Sequence, residues 1–395
     1  MLWPGLPSEE ALMRPGPDPS TVPWPLLKAG MALGRFLELL PNWMLPAGPQ
    51  LLQLAAVAQF KAQTIKALAV LGIADMLGSG PKSSQELADV SAYSAPGLYR
   101  LLRLSTASGV FAVDGPVKGF ETRFRNNKLS IHLRTDHPES VRHLLMTFAN
   151  DCDSAWTKLA EGVKTGEEPF QLEHGTDFWK YIKDRPENEK IFSHAMAYQE
   201  KSSRLTHIKE YRWDQYDRVV DIGGAYGSFL ASLMTAFPQL NGTLFDMPQV
   251  IENAKVLWKD EHANLAGRVD LVGGDFFDST TIPRDTEGKT VYIMRSILHD
   301  WNDESSVSIL KALASALKGT QSKLIINELV IEDVFPGEMT VKLGMDVHML
   351  AICSGKERTK HEWEALLSQG GFRLNQIYAA KGLQSMIESE VAHKP

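Results

Sequence analysis

The residues that could do chemistry lie where apolar, strand-like segments end. The stretch 218–227, RVVDIGGAYG, is an apolar run that ends in an acid and is followed by three glycines. This pattern is typical of a buried parallel strand that leads into a tight turn and a helix N-terminus. Such a turn lets a ligand approach the backbone. About 25 residues later, LFDMP ends a second strand-like segment in Asp246, the place where such folds bind ribose hydroxyls.

Two further strand-like segments, at 269–272 and 291–294, also end in polar residues. The first is followed by GGDFF, which contains Asp275, and the second by RSILHDW, which contains His299. Three strand ends therefore carry an acid and the fourth carries a histidine. The glycines alone would be compatible with a plain strand-to-helix turn, but the acids that follow in order favour a ligand site.

The motifs DIGGAYG, LFDMP, GGDFF, ILHDW and GKERT, in this order and spacing, resemble one enzyme family. This family comprises the S-adenosylmethionine-dependent small-molecule O-methyltransferases of the plant caffeate type and their bacterial, algal and fungal relatives. The resemblance covers roughly residues 50 to 390. It implies an α/β fold: a doubly wound, Rossmann-like methyltransferase domain with an antiparallel edge strand, preceded by a mostly helical winged-helix dimerisation domain. The motifs do not specify a substrate.

The resemblance implies that S-adenosylmethionine is the cofactor. Its sulfonium has no phosphate, whereas a dinucleotide site would carry a fuller G-x-G-x-x-G to hold a pyrophosphate. A carboxylate at position 246 can accept both ribose hydroxyls with its two oxygens. The residues that the resemblance assigns to cofactor binding are Asp221, Gly223, Gly224, Asp246, Asp275, Phe276 and Arg295.

Two positions, one in the glycine-rich loop and one at a strand end, depart from the family's pattern. Ala225 stands where relatives usually carry glycine, and a residue with a side chain does not easily take a positive φ. We therefore expect a reshaped loop or a narrowed pocket at this point. Arg295 stands where relatives commonly carry a lysine near the cofactor.

The resemblance also implies a general base. Methyl transfer is an in-line displacement, so the protein must align two atoms and take up the proton of the acceptor. A phenol with a pKa near ~10 is mostly neutral at pH 7, and an imidazole with a pKa near ~6.5 suits its deprotonation. His299 is the predicted base. Glu328 and Glu357 match the two family acids that flank it and would orient the ring. Asp300 and Trp301 are assigned to structure.

Two segments are expected to contact the acceptor. The helix equivalent to FSHAM, residues 192–196, lines the pocket in relatives, and a helix near 345–349 borders it. His194 stands where relatives often carry a small amide or another polar residue, which leaves the acceptor's identity open. The predicted acceptor contacts are Phe192, His194, Met196, Met345 and Met349.

Composition sets limits on partners and location. The chain has 395 residues, 44% of them hydrophobic, which is enough for two domains with cores of their own. A net charge of −7 does not favour a nucleic-acid partner. Two cysteines, Cys152 and Cys353, lack metal-ligand spacing and predict neither a metal site nor disulfides. Without an apolar run of ~20 residues or a signal peptide, a soluble cytoplasmic protein is expected, with organelle import left open.

Three segments are predicted along the chain. Residues 1–25 are rich in proline and form a loose arm, residues 26–201 form a helical, winged-helix dimerisation and acceptor-lining domain, and residues 202–395 form the cofactor-binding catalytic domain. The apolar stretch Leu26 to Leu45 is expected to pack on a partner subunit rather than on a membrane surface, since it carries few cations.

The winged-helix pattern rests on two helix starts, at Ser83 and at Ala95, followed by a strand at 110–113. This pattern serves either DNA binding or dimerisation. A dimerisation scaffold is favoured because the second helix offers only Arg100 and Arg103 as cations. We therefore expect a homodimer.

Several other activities stay open at this point. Relatives of the same fold methylate nitrogen or, as in the route to dimethylsulfoniopropionate, a thioether sulfur, which needs no base. Fungal pericyclases built on this fold keep the cofactor but catalyse a rearrangement. A non-catalytic dimeric scaffold or regulator is a further class, against which the intact acids and His299 argue. The favoured function is methyl transfer to a hydroxyl of a small aromatic metabolite.

Overall fold

The computed structural model describes residues 46–196, 208, 211–284, 289–332, 340–353, 355–379 and 383–392. The arm and the first helix expected before residue 46 lie outside these ranges. Contacts divide the chain into an N-terminal unit, Met1–Asp153 with Ile182–Tyr198, and a C-terminal unit, Ser154–Tyr181 with Gln199–Pro395. The segment 154–181 thus groups with the second half of the chain, whereas the boundary predicted after residue 201 stays a prediction.

The N-terminal unit follows the predicted winged-helix order. Its elements are α1 (Ala47–Leu52), α2 (Ala58–Val70), α3 (Ile73–Met76), β1 (Lys82–Ser83), α4 (Ser84–Ser91), α5 (Ala95–Ala107), β2 (Phe111–Asp114), β3 (Arg123–Asn126), α6 (Arg142–Thr147) and a helix at 186–196. Ser83 and Glu86 form a capping box at the start of α4, and Ser94 caps α5. These caps satisfy backbone N–H groups that the first turn leaves without partners. The strands form an antiparallel sheet in the order β1-β3-β2.

Helices alternate with strands in the C-terminal unit. Four short helices come first, α7 (Asp153–Trp156), α8 (Leu159–Thr165), α9 (Pro169–His174) and α10 (Phe178–Lys183), of which the first and last cross the unit boundary. The later elements are β4 (Arg218–Ile222), α11 (Ser228–Ala236), β5 (Asn241–Asp246), α12 (Pro248–Glu261), β6 (Val269–Gly273), β7 (Thr290–Arg295), α13 (Asp303–Leu317), β8 (Lys323–Ile331), α14 (Thr340–Ile352), β9 (Arg358–Thr359), α15 (Lys360–Gln369), β10 (Phe372–Ala379) and β11 (Gln384–Val391).

The sheet order explains why the strand ends meet. The strands run in the order β10-β11-β8-β7-β4-β5-β6, with β9 paired to β8. The pairs from β8 to β6 are parallel, whereas the β10–β11 hairpin adds antiparallel strands at one edge. The predicted fold class, with its antiparallel edge, is confirmed. Parallel strands present their carboxyl ends on one side of a sheet, which is where such folds bind ligands.

Helices cover both faces of this sheet. Val220 and Tyr292 belong to the core on one face, and their chain neighbours Val219 and Val291 belong to the core on the other. Strands buried on both faces read as continuous apolar runs, which is why the sequence located them. Among the described residues, no helix is long and apolar enough to cross a membrane.

Candidate active site

The glycine-rich loop between β4 and α11 has little room for side chains. Gly223 adopts a φ of +71°, and a Cβ built on it would lie 2.7 Å from Cδ1 of Ile297. A Cβ on Gly224 would lie 2.5 Å from Cδ1 of Leu244 and 2.6 Å from the carboxyl carbon of Asp221, itself buried in β4. The loop therefore packs so closely on its neighbours that a side chain at either position would collide with them.

Ala225 takes a left-handed conformation, with φ of +50°. The expected reshaping of the loop or narrowing of the pocket stays a prediction, but the positive φ that a residue with a side chain does not easily take is present. The reason is a hydrogen bond: the backbone N–H of Ala225 donates to Oδ2 of Asp246 at 2.8 Å. This bond offsets part of the roughly 1 to 2 kcal/mol that the left-handed conformation costs an L-residue.

Asp246 ends β5 beside this loop. Its Oδ1 accepts the N–H of Met247 at 2.7 Å, and its Oδ2 accepts that of Ala225. Partial burial raises the pKa of this carboxyl, and the two N–H donors oppose the shift. Each oxygen keeps acceptor capacity after its one backbone hydrogen bond. The residue thus has the free lone pairs that a pair of ribose hydroxyls needs.

Asp275 and Phe276 follow β6. Asp275 is exposed and accepts the N–H of Phe277 at 2.9 Å. The ring of Phe276 lies edge-on to that of Trp301, with centroids 6.1 Å apart, and its Cε1 comes within 3.9 Å of a Cβ built on Gly223. The residues that follow β6 and those of the loop after β4 therefore lie at the same end of the sheet.

Arg295 is the last residue of β7. Its guanidinium lies 5.1 Å from the ring centroid of Phe229 on α11, a cation–π arrangement. This contact places the arginine near the first turn of α11.

His299 lies in a single 3₁₀ turn, Leu298–Asp300, just after β7. Its Nδ1 is 3.0 Å from Oε1 of Glu357 and 3.8 Å from Oε2 of Glu328. The other ring nitrogen, Nε2, is 3.5 Å from Oδ1 of Asp300. The structure thus brings the predicted base and both predicted acids together and leaves 14% of the imidazole side chain exposed.

Glu328 also holds the backbone next to His299, and the backbone of Glu357 is held by Asp346. Oε1 of Glu328 accepts the N–H groups of Ile297 at 2.8 Å and of Leu298 at 3.0 Å. The N–H of Glu357 donates to Oδ1 of Asp346 on α14 at 3.0 Å. The Oε2 atoms of Glu328 and Glu357 are buried and have no hydrogen-bond partner within the described ranges. Unpaired buried carboxylate oxygens favour a proton or a cation close by.

Charge and burial act in opposite directions on this cluster. Burial alone would lower the pKa of His299, but the carboxylates of Glu328, Asp300 and Glu357 outweigh it and raise the pKa well above 6.5. Burial in turn raises the pKa of Glu328, and it raises that of Asp300 to about 6. The carboxylates around His299 therefore favour the charged form of its imidazole, whereas burial favours the neutral form of Glu328 and Asp300.

The same three residues have a metal-binding composition. His299, Glu328 and Glu357 offer ligand atoms that lie within 4.8 Å of one another. Imidazole nitrogen and carboxylate oxygen are ligands that zinc accepts. The metal-free site expected from the sequence stays a prediction.

The expected acceptor contacts are divided between the two units. Phe192, His194 and Met196 lie on the helix at 186–196 of the N-terminal unit, where the ring of His194 stacks on that of His143 with centroids 4.7 Å apart. Met345 and Met349 lie on α14 of the C-terminal unit. Their roles as acceptor contacts stay predictions.

Two residues near the base were missed or given a purely structural role. Asp300 was assigned to structure, yet its carboxylate is the group nearest to Nε2 of His299 among the acids around it. Because Asp300 follows His299 directly in ILHDW, the sequence already indicated that this carboxylate lies near the imidazole. Arg358, in the GKERT motif, was not singled out, although its guanidinium is fully buried and donates to the carbonyl of Leu298 at 2.9 Å.

Comparison with known proteins adds the family. The family described as O-methyltransferase domain matches residues 156–373, and that described as O-methyltransferase dimerisation domain matches residues 56–136. The first match spans more than half of the chain. The chain belongs to the O-methyltransferase family.

Relatives of this O-methyltransferase include characterised and solved proteins. It is 33% identical over 330 residues to the phenazine O-methyltransferase PhzM of Lysobacter antibioticus, covering 83% of this chain and 92% of that one. The crystal structure of LaPhzM matches with a TM-score of 0.78 and 31% identity, covering 88% of this chain and 100% of that chain.

A third relative bears on the cofactor. The O-methyltransferase NcsB1 from neocarzinostatin biosynthesis, crystallised with S-adenosylmethionine and 2-hydroxy-5-methyl naphthoic acid, matches with a TM-score of 0.71 and 29% identity, covering 86% of this chain and 98% of that chain. The present O-methyltransferase uses S-adenosylmethionine to methylate a hydroxyl. The free acceptor capacity of the two Asp246 oxygens fits the ribose hydroxyls of this cofactor.

Proposed function

We propose that this methyltransferase deprotonates a hydroxyl of a small aromatic metabolite with His299 as the general base. The observation that supports this role is the 3.0 Å hydrogen bond between Nδ1 of His299 and Glu357. A carboxylate on one ring nitrogen fixes the proton there, orients the ring and leaves the other nitrogen to take a proton. That nitrogen, Nε2, is the proposed acceptor of the hydroxyl proton.

Cofactor binding is proposed for the strand-end residues. The backbone at Gly223 and Gly224 would lie against the amino-acid part of the cofactor and Asp246 would bind its ribose hydroxyls. Asp275 and Phe276 would contact its adenine. Asp221 and Arg295 would support the site from β4 and β7. When bound, the cofactor supplies a methyl group activated by its sulfonium charge.

The proton has to move in a defined order. The surrounding carboxylates raise the pKa of His299 and so favour its protonated form, which cannot act as a base. A doubly protonated imidazole must release one proton before Nε2 can take one from the acceptor. Glu328 and Glu357 then offset the charge that the ring gains, and Asp300, 3.5 Å from Nε2, is placed to pass protons outward.

The acceptor is inferred to be a flat aromatic alcohol. The names of the relatives support this: one methylates a phenazine, and one was crystallised with a hydroxynaphthoic acid. We propose that Phe192, His194, Met196, Met345 and Met349 contact this acceptor. Apolar and aromatic side chains with few polar groups are the usual lining of such pockets.

A homodimer is the proposed assembly. The match of residues 56–136 to the dimerisation family supports it. Apolar side chains on the first helices also remain exposed in the single chain, among them Leu51 at 67% and Phe60 at 58%. Side chains of this kind on a helix favour burial against a second copy. Neither nucleic acid nor membrane is proposed as a partner, and a cytoplasmic location stays a prediction.

The test measures methyl transfer from labelled S-adenosylmethionine to a panel of phenols, amines and thioethers. We expect transfer to a phenol, lost by roughly 10²-fold or more in His299→Ala. The matched control is His361→Ala, whose side chain is 87% exposed and should leave turnover unchanged. Transfer that survives His299→Ala would contradict the base role and favour nitrogen or sulfur as the acceptor atom. Cofactor binding without any transfer would favour a pericyclase or a scaffold.

A further inference from the structure

We propose that Arg358 is a positioning residue for His299, acting with Gly355 to fix the backbone turn that carries the imidazole. The inference rests on the proposed function, since it concerns the placement of the proposed base. It concerns GKERT, the motif that also contributes Glu357. Arg358 does not touch the ring, so its effect on chemistry would be indirect.

The guanidinium of Arg358 donates hydrogen bonds to the turn on both sides of His299. Its Nη1 donates to the carbonyl of Leu298 at 2.9 Å, and its Nη2 donates to the carbonyl of Trp301 at 2.9 Å. These carbonyls come one residue before and two residues after the histidine. Because the 3₁₀ turn is a single turn, it has few hydrogen bonds of its own, and these two donors supply external support.

The guanidinium is itself fixed. Nε and Nη2 both donate to Oδ1 of Asp303, at 3.0 Å and 2.8 Å, and the Cζ atom lies 5.3 Å from the ring centroid of Trp363. The residue is fully buried. A buried arginine with its donors filled cannot change rotamer without leaving carbonyls unpaired, which costs about 1 to 3 kcal/mol for each group.

Gly355 completes this support. A Cβ built on it would lie 1.8 Å from the carbonyl oxygen of His299, so the two backbone segments pack without space for a side chain. Residues 355–358 thus contact His299 or its turn in three ways: by the close backbone at 355, by the carboxylate of Glu357 on Nδ1, and by the guanidinium of Arg358.

A lysine at 358 could not replace this arrangement. One ammonium presents a point charge on a flexible stem, whereas the planar fork of arginine reaches two carbonyls and a carboxylate at fixed angles. The change to lysine keeps the positive charge near Asp303 and Lys356, which form an ion pair at 3.1 Å. Arg358→Lys thus removes the fixed hydrogen-bond geometry of the guanidinium and leaves the net charge of the protein unchanged.

Without this support, the imidazole of His299 would be held less closely to the carboxylates that face it. These are Glu328 on β8, Glu357 beside β9 and Asp300 in the same turn. Coulomb interactions weaken with distance, so a turn that moves away from them holds its imidazolium less strongly. The imidazole should then titrate at lower pH than in the parent protein.

The test compares Arg358→Lys with Arg268→Lys. Arg268 is the matched control because it lies in the same unit and also donates to carbonyls, those of Pro238 at 2.7 Å and Leu240 at 2.8 Å, but it precedes β6 at the opposite edge of the sheet. The readouts are the titration of the His299 imidazole by NMR without any acceptor, kcat and KM with a phenol, and the affinity for S-adenosylmethionine.

We expect Arg358→Lys to move the His299 titration to lower pH and to lower kcat by about 10- to 100-fold, with cofactor affinity unchanged. Arg268→Lys should change neither. A titration that stays at the parent pH in a folded Arg358→Lys protein would overturn the proposal. If that variant does not fold, Asp303→Asn, which loosens the same guanidinium, should show the same shift on a smaller scale, and its absence would also overturn the proposal. Because the titration needs no turnover, it separates this proposal from the base role of His299.

Discussion

The backbone N–H of Ala225 donates a 2.8 Å hydrogen bond to Oδ2 of Asp246, which ties the loop after β4 to the acid that ends β5. The same carboxylate accepts the N–H of Met247 through Oδ1. Both oxygens thus meet donors from the protein, and a side chain with a donor of its own would face one of these N–H groups.

Asp246→Asn should weaken cofactor binding through this arrangement. The amide –NH₂ must face the N–H of either Ala225 or Met247, and the charge that would bind the ribose hydroxyls is lost. Hydrogen bonds to a charged group contribute about 1.5 to 3 kcal/mol, so we expect the Kd for S-adenosylmethionine to rise roughly 10- to 100-fold. Calorimetric titration measures this, with Asp260→Asn on the exposed side of α12 as control. Equal affinity in both variants would remove Asp246 from the site.

Two substitutions in the glycine-rich loop should change the stability of the protein in opposite directions. Gly224→Ala places a methyl group 2.5 Å from Leu244 and should lower stability by about 1 to 3 kcal/mol and weaken cofactor binding. Ala225→Gly relieves a left-handed alanine and should raise stability by up to about 1 kcal/mol. Denaturant unfolding measures both. A loss of stability in Ala225→Gly would mean that the methyl group itself is needed for packing.

Turnover should depend on pH through His299. The pKa of this imidazole is raised, and only its neutral form can accept a proton, so kcat/KM should rise with pH along a limb whose midpoint lies above 6.5. Glu357→Gln removes one of the charges that raise the pKa. The limb should then move to lower pH while kcat falls by roughly 10²- to 10⁴-fold, because the ring loses its orienting partner.

The control for this profile is Glu364→Gln, an exposed glutamate on α15. It should leave both the midpoint and kcat unchanged. A midpoint that stays in place or moves to higher pH in Glu357→Gln would show that Glu357 does not act on the titrating group.

Glu388 on β11 should govern stability in acid. It accepts hydrogen bonds from Lys323 and from the hydroxyl of Tyr211, the latter at 2.7 Å. Burial would raise the pKa of this carboxyl, but these donors outweigh it and hold the pKa below 4.5. A lowered carboxyl pKa contributes stability that is present above the unfolded value and lost as pH falls through the folded value. The contribution should therefore disappear below about pH 4.5.

Glu388→Ala should lower the free energy of unfolding at pH 7 by about 2 to 3 kcal/mol, because it removes the charged acceptor of the Tyr211 hydroxyl and of the Lys323 ammonium. Urea unfolding at several pH values measures this. Glu252→Ala, which removes an exposed pair with Lys255, should cost less than about 0.5 kcal/mol. A deficit in Glu388→Ala that persists unchanged at pH 3 would contradict the electrostatic explanation.

Much of this arrangement could be read from the sequence because its signals are local. The apolar runs that form β4, β7 and β8 are continuous, and the acid at 246 and the histidine at 299 stand next to them. Parallel strands bring such ends together whatever the detail of their side chains. The approach of Glu328 and Glu357 to His299 was available only through the resemblance to a family.

The contacts that escaped prediction are those set by packing between distant parts of the chain. Arg358 lies 55 residues from Asp303, and its direction depends on the short pairing of β9 with β8. Ala225 takes a positive φ because of an acceptor 21 residues away. No local sequence pattern predicts either contact, because in both cases the contacting residue is distant in sequence.

The division of the chain into two units has a consequence for how the protein could have arisen and how it can be cut. The polypeptide changes unit after Asp153, again after Tyr181 and a third time after Tyr198. End-to-end joining of two ancestral genes would produce a single such passage. A protease nick or a split anywhere between residues 154 and 198 would leave each fragment lacking part of its own unit, so the halves are expected to recover activity only when both fragments are present together.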